Sequence, residues 1–240
     1  MIDANKLLSD GIELLCGIDS EVNSILTSRK DDVILLLTGY INEIELFNHA
    51  YGLVGTEKTE ELIIKHILDA LAPMGILSRL LRSFNCRDSG LAPLREIYRI
   101  ADAGSGAGLP GIPLAIAMPS CEFTLIERMG RRAGFLCNTK AVLSLSNINI
   151  EECEIEKIAG KKDFTEYFDI VTFRAFKPLD AKLLKSLFAI LAPNGIIAAY
   201  KGKKEKIETE MKVMPELQWE AVPYTVPFLD EERHVLIIKK

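Results

Sequence analysis

Along the first eighty residues, apolar positions recur at intervals of three and four, the spacing that places them on one face of a helix. Between residues 31 and 51, Val33, Ile34, Leu37, Ile41, Ile44 and Phe47 make one such stripe. After Thr59 a second stripe carries Leu62, Ile63, His66, Ile67 and Ala70. Pro73 stops it, because proline lacks the N–H the helix needs and clashes with the preceding turn. Residues 83–93 are polar and contain Gly and Pro, which predicts a loop. Residues 1–94 therefore read as a helical cap with its linker.

From Arg95 the pattern changes to short apolar runs alternating with helical stretches, as in βαβ units feeding a parallel sheet. Strands are expected over 97–101, 122–127, 147–151, 168–173 and 195–200. Helices are expected over 110–118, 129–145, 178–191 and 203–214. Two final strands, 217–225 and 234–239, lie so close in sequence that an antiparallel pairing is simplest. Residues 95–240 thus read as an α/β domain with a mostly parallel, doubly wound sheet and an antiparallel C-terminal strand.

The 240 residues are 48% hydrophobic and 26% charged, which excludes disordered, collagen-like and disulfide-scaffold classes. Apolar runs such as Val33 to Leu37 fall far short of the roughly 18–20 residues of a membrane span. The N-terminus shows no basic region or cleavage site, so a cytoplasmic protein is expected. Five scattered cysteines without a C-x-x-C pair and three distant histidines predict reduced, mostly buried thiols and no metal. A formal charge of −5 excludes a globally basic nucleic-acid footprint. Contact with RNA would have to be local. Candidate stretches are Arg79, Arg82, Arg87, Arg95 and Arg99; Arg128, Arg131 and Arg132; and Lys201, Lys203, Lys204 and Lys206, each of which, taken alone, reads more readily as a solvated face.

The most informative segment runs from Asp102 to Gly111, DAGSGAGLPG, between an expected strand and an expected helix. Its glycines allow positive φ and close approach of a ligand to the backbone, and Pro110 or Pro113 suits a first helical turn. Glu127 ends the next strand, where a carboxylate can take a ribose diol. Asp102 precedes the first glycine, and the spacing is G-x-G-x-G. A carboxylate there would repel a pyrophosphate and favour a ligand bearing an ammonium and a sulfonium, so S-adenosylmethionine fits better than NAD.

The run from Asp102 to Ile116 closely resembles the first motif of the RsmG (GidB) family, bacterial methyltransferases of guanine N7 in 16S ribosomal RNA. The likeness extends to the cap, at Phe47 to Tyr51 and His66 to Ala70, and to the later motifs at Arg131-Arg132, Arg174-Ala175, Lys201-Gly202 and Glu232 to His234. It implies a Rossmann-like class I methyltransferase fold, S-adenosylmethionine as cofactor, and 16S rRNA or the small ribosomal subunit as partner. By motif position it implies cofactor contacts at Gly104, Leu109, Ile155, Glu156 and Arg174, beside Asp102, Gly106 and Glu127 from the loop itself. Three positions depart from the family pattern. Glu154 stands where arginine is usual, Gly52 where asparagine is usual and Ala70 where serine is usual.

Guanine N7 is a free acceptor on the major-groove edge, so its methylation needs alignment rather than a general base. Arg174, Lys201 and Arg233, each near an expected strand end, are the residues expected at the transfer site. Arg174 would position the cofactor or guanine O6, Lys201 would contact RNA and Arg233 a phosphate. Their plain alternatives are a capping surface arginine, a solvated lysine, and an ion pair of Arg233 with Asp230 or Glu231. His66 reads as a hydrogen-bonded core histidine with Asp69 as partner, and Trp219 and Phe228 as core or turn packing rather than base-stacking residues. A monomer is expected. The rival readings are a Rossmann-type oxidoreductase and a non-catalytic ribosome-binding relative, the latter suggested by Glu154.

Overall fold

The computed structural model describes residues 3–87 and 97–240, with side chains of 85–87 excepted. The cap begins with α1 (Ala4–Ile18), whose first N–H groups donate to the Asp3 carboxylate, and α2 (Ser20–Leu26), capped by Asp19 in the same way. Such caps satisfy amides that have no intrahelical acceptor. The long α3 (Lys30–Tyr51) ends at Gly52, which takes the left-handed conformation, φ 57°. The second apolar stripe becomes α4 (Thr59–Leu62), a π-helical stretch (Ile63–Leu68) and α5 (Asp69–Leu71). Pro73 ends this run as expected, yet α6 (Met74–Arg87) starts at the next residue. Proline suits the start of a helix as well as its end. The expected loop at 83–93 is therefore helical through Arg87. Residues 88–96, with Arg95 and the 94/95 boundary, lie outside the described residues.

The remaining chain alternates: β1 (Tyr98–Ala103), α7 (Gly111–Ala117), β2 (Cys121–Ile126), α8 (Gly130–Val142), β3 (Ile148–Glu151), α9 (Ile155–Ile158), β4 (Phe168–Arg174), α10 (Ala181–Ile190), β5 (Leu191–Lys201), α11 (Lys204–Met211), β6 (Trp219–Tyr224) and β7 (Arg233–Lys239). The sheet has seven strands in the order β3-β2-β1-β4-β5-β7-β6. Strands β1 to β5 pair in parallel, and β7 runs antiparallel to both β5 and β6. The order reverses between β1 and β4, and ligands of doubly wound sheets bind at the carboxyl ends of strands beside such a switch.

Alternate residues of each strand face opposite sides of the sheet. Ile100, Ile170, Ala198 and Ile237 join one apolar cluster, which also contains Leu37, Tyr40, Ile67 and Leu77 of the cap. Ala101, Val171, Ile197 and Ile238 join the other, beneath α9, α10 and α11. Cap and sheet thus share one core. Truncating a side chain such as Leu37, fully buried there, should cost about 2–5 kcal/mol. Tyrosine hydroxyls tie the two layers further: Tyr40 donates to the Ala107 carbonyl at 2.7 Å and Tyr200 to the Ala70 carbonyl at 2.9 Å.

The thiols depart from the expected burial. Among the described cysteines only Cys121 is buried; Cys16 and Cys153 are half-buried and Cys137 is exposed on α8. Burial pushes the Cys121 thiol up to about 11, keeping it protonated and unreactive. No helix of the described residues is long and apolar enough to cross a membrane.

Candidate functional site

The glycine loop leaves the carboxyl end of β1 at the switch point. Gly104, Gly106 and Gly108 all have positive φ. Glycine is required twice over at Gly104, where φ is 72° and an added Cβ would overlap the ring of Phe176. Neighbouring strands hold the loop: Gly104 and Ser105 N–H groups donate to the Ile126 carbonyl at 2.8 and 3.1 Å. The Glu127 carboxylate accepts from Gly106 N–H at 2.9 Å and Met129 N–H at 2.8 Å. Those two bonds leave it further lone pairs for a diol. Asp102 lies fully buried under the loop. Its Oδ2 accepts from Gly111 N–H at 3.0 Å, while Oδ1 has no partner. Burial pushes this carboxyl up to about 7, against the lowering effect of the Gly111 bond. Pro110 and Pro113 flank the start of α7, as the sequence pattern suggests.

In front of the loop is a cavity of about 290 Å³ lined by Gly104, Ile126, Glu127, Arg128, Met129, Arg132, Cys153, Glu154, Ile155, Ala175, Phe176 and Lys177. Three of the expected cofactor residues, Gly104, Glu127 and Ile155, meet there. Asp102 and Gly106 act from behind, one under the loop and one through Glu127. Glu156 takes Lys177 Nζ on Oε1 at 3.2 Å, while its other oxygen is buried without a partner. Its own backbone N–H and Lys177 hold this carboxyl below the usual range. Leu109 does not line the cavity; it is buried in the cap-side cluster. The set fits S-adenosylmethionine. Ile155 would offer an apolar wall to an adenine and Glu127 acceptors to a ribose, while Asp102 shapes the turn from beneath and does not reach the cavity.

Arg174, at the end of β4, is not on the surface, for only 15% of its side chain is exposed. It is clasped by the cap. Its guanidinium donates to the Lys65 carbonyl at 3.0 Å, to Asp69 Oδ2 at 3.1 Å and to His66 Nδ1 at 2.7 Å. Arginine only donates, so His66 must accept on Nδ1 and carry its proton on Nε2. Burial, reinforced by the Arg174 charge, depresses the His66 pKa to about 4. Asp69 is thus not the partner of His66; both bind Arg174. The other Asp69 oxygen accepts from the Tyr224 hydroxyl at 2.9 Å and lies 3.4 Å from Arg233 Nε.

Arg233 also pairs with Glu231 at 2.9 Å, so its plain ion-pair reading is realised and extended to Asp69. Lys201 is not a solvated lysine, for both Glu210 oxygens hold its ammonium, at 3.0 and 2.7 Å. Neither residue lines the cavity. In the first basic stretch, Arg79 pairs with Asp19, Arg82 with Glu21 and Arg99 with Glu122. The second stretch differs: Arg128 is exposed on the cavity wall, Arg131 is exposed in the first turn of α8, and Arg132, also on the cavity wall, donates to the Gly52 carbonyl at 3.0 Å. Trp219 packs on the second apolar cluster, and Phe228 is half exposed in the β6–β7 turn with φ 64°. Sequence reasoning missed Phe176, Lys177, Tyr224 and Glu210. Only the position of Phe176 and Lys177 just past a strand end could have signalled them. Among the described residues no group of three or more His, Cys, Asp or Glu side chains could hold a metal ion.

A sequence model described as rRNA small subunit methyltransferase G matches residues 34–236. The protein named ribosomal RNA small subunit methyltransferase G of Treponema denticola is 39% identical over 254 aligned positions, covering 99% of this chain and 95% of its own. Its namesake from Yersinia pseudotuberculosis is 31% identical over 205 positions, covering 85% of this chain and 88% of its own. Among solved structures, a candidate S-adenosyl-L-methionine-dependent methyltransferase from Methanococcus maripaludis superposes with a TM-score of 0.52 at 15% identity, covering 83% of this chain and 91% of that one. That likeness speaks for the fold alone. From the family match and the two relatives together, this chain belongs to the rRNA small subunit methyltransferase G family.

Proposed function

We propose that the protein transfers the methyl group of S-adenosylmethionine to N7 of a guanine in 16S rRNA, working as a monomer in the cytoplasm. The observation that carries this reading is the cavity at the switch point, where the Gly104 turn, the Glu127 carboxylate and Ile155 meet beside the exposed Arg128. S-adenosylmethionine supplies an electrophilic methyl on a sulfonium. Glu127 would hold the ribose and Ile155 would back the adenine, while Asp102, buried beneath the loop, holds the turn in place through the Gly111 N–H. Arg174 Nη1 serves Lys65 and Asp69 and Nη2 serves His66, which leaves N–H groups of its five for guanine O6. N7 itself carries no proton, so no base is needed and alignment supplies most of the rate. Arg128 and Arg131 offer unpaired charge to phosphates that flank the target.

Lys201 and Arg233 belong to this reading as RNA-facing cations on the β5 and β7 side, each exchanging a carboxylate partner for phosphate on binding. The test is methyl transfer from labelled S-adenosylmethionine to small-subunit rRNA and to assembled small subunits by the purified chain. Incorporation into a guanine supports the reading. Binding of the cofactor without any incorporation would favour the non-catalytic alternative, for which Glu154 on the cavity wall is the structural pointer.

A further inference from the structure

The loop after β4 carries a feature that the transfer reaction, as described so far, does not use. Ala175 has φ 49°, a conformation that residues with a Cβ adopt rarely and that surrounding structure must enforce. Its consequence is to lay the half-buried Phe176 ring directly on Gly104, so closely that a Cβ at Gly104 would overlap it. The ring lines the same cavity as Glu127 and Ile155. Were adenine to sit at Ile155 and ribose at Glu127, the arm beyond the ribose would extend along the cavity toward Gly104 and Phe176, with the sulfonium as its first group. The ring already carries one cation on its π surface, for Lys177 Nζ lies 5.5 Å from its centroid and is anchored to Glu156.

An aromatic ring attracts a cation through its quadrupole and offers no such attraction to a neutral group of the same shape. The substrate form of the cofactor has a positively charged sulfur, whereas its product, S-adenosylhomocysteine, has a neutral thioether. We infer that Phe176 is a specificity-determining residue that favours the charged cofactor over its neutral product and so assists product release. The inference rests on the cofactor assignment made above. Its effect is on the ratio of two affinities, not on the chemical step.

The experiment compares dissociation constants of S-adenosylmethionine and S-adenosylhomocysteine, measured by calorimetry on the full chain, for the unmodified protein, Phe176→Leu and Phe176→Tyr. Leucine keeps apolar volume and removes the π system, and tyrosine keeps both. We expect Phe176→Leu to weaken S-adenosylmethionine about three- to thirty-fold and S-adenosylhomocysteine by less than about twofold, while Phe176→Tyr preserves the ratio. Equal weakening of both ligands would overturn the inference by making Phe176 a packing residue. Unchanged affinities together with a raised KM for RNA would also overturn it, by assigning the ring to the target base. An unmodified chain that binds neither ligand would be a separate failure, of the cofactor assignment itself.

Discussion

Asp69, in the cap, accepts a hydrogen bond at 3.1 Å from Arg174, at the carboxyl end of β4. The contact joins the two layers at the ligand edge of the sheet, and the same carboxylate reaches Tyr224 and Arg233 on the C-terminal hairpin. The cap therefore reaches the carboxyl edge of the sheet as well as covering the core. Removing the charge from Asp69 leaves Arg174, itself mostly buried, with neutral acceptors and no charged partner among those it binds here. Asp69→Asn should lower stability by about 3 kcal/mol, read from urea unfolding, and should reduce methyl transfer more than S-adenosylhomocysteine affinity. Stability within about 0.5 kcal/mol of the parent would show that the pair carries no structural weight.

The depressed pKa of His66 gives stability a defined pH dependence. Its ordinary value is 6.5 and its folded value about 4, so between these the unfolded chain binds the extra proton. Stability then rises with pH across this window and is lost as pH falls through it. Because the ring is half-buried, a contribution of about 1–2 kcal/mol is expected, below the ~3 kcal/mol that the full shift would imply. His66→Gln keeps an acceptor for Arg174 and cannot titrate. Its unfolding free energy should fall less between pH 7 and pH 4 than that of the parent by that amount, and parallel curves would remove His66 from the account.

At Gly104 two requirements coincide, a left-handed backbone and contact with the Phe176 ring. Gly104→Val should abolish S-adenosylhomocysteine binding in calorimetry while leaving the far-ultraviolet circular dichroism of the fold in place. Retained affinity would place the cofactor elsewhere.

Much of this was legible beforehand because the signals were local. The period-two and period-3.6 patterns placed every strand to within a few residues, and the DAGSGAG loop with Glu127 marked the edge of the sheet where the cavity opens. What stayed hidden depends on contacts between residues distant in sequence. Nothing near Arg174 announces a cap histidine 108 positions earlier, and even the nearer partner of Lys201, Glu210 at the far end of α11, depends on how that helix returns beside β5. Pro73 misled in part, since a residue that stops one helix can open the next. The exposed Cys137 likewise follows from the face of α8 it occupies, which average thiol burial does not predict.

The Lys201–Glu210 pair makes the proposed role of that lysine testable. Glu210→Gln should release the ammonium, tighten binding of small-subunit rRNA at low salt and steepen its salt dependence by about one unit of log–log slope. Lys201→Ala should lower methylation more than cofactor affinity. If Glu210→Gln leaves both affinity and slope unchanged, Lys201 is a structural ion-pair partner and not an RNA contact.

The central claim is the atom that receives the methyl group. Methylation at N7 makes the guanine cationic, so borohydride reduction followed by aniline cleaves the RNA at that nucleotide. Small-subunit rRNA should be mapped in this way from cells with and without the protein, and after treatment with the purified chain and S-adenosylmethionine. The account predicts one cleavage site that disappears without the protein and returns on treatment. A cleavage pattern identical in all three samples, or incorporated methyl recovered as N2-methylguanosine, would contradict it.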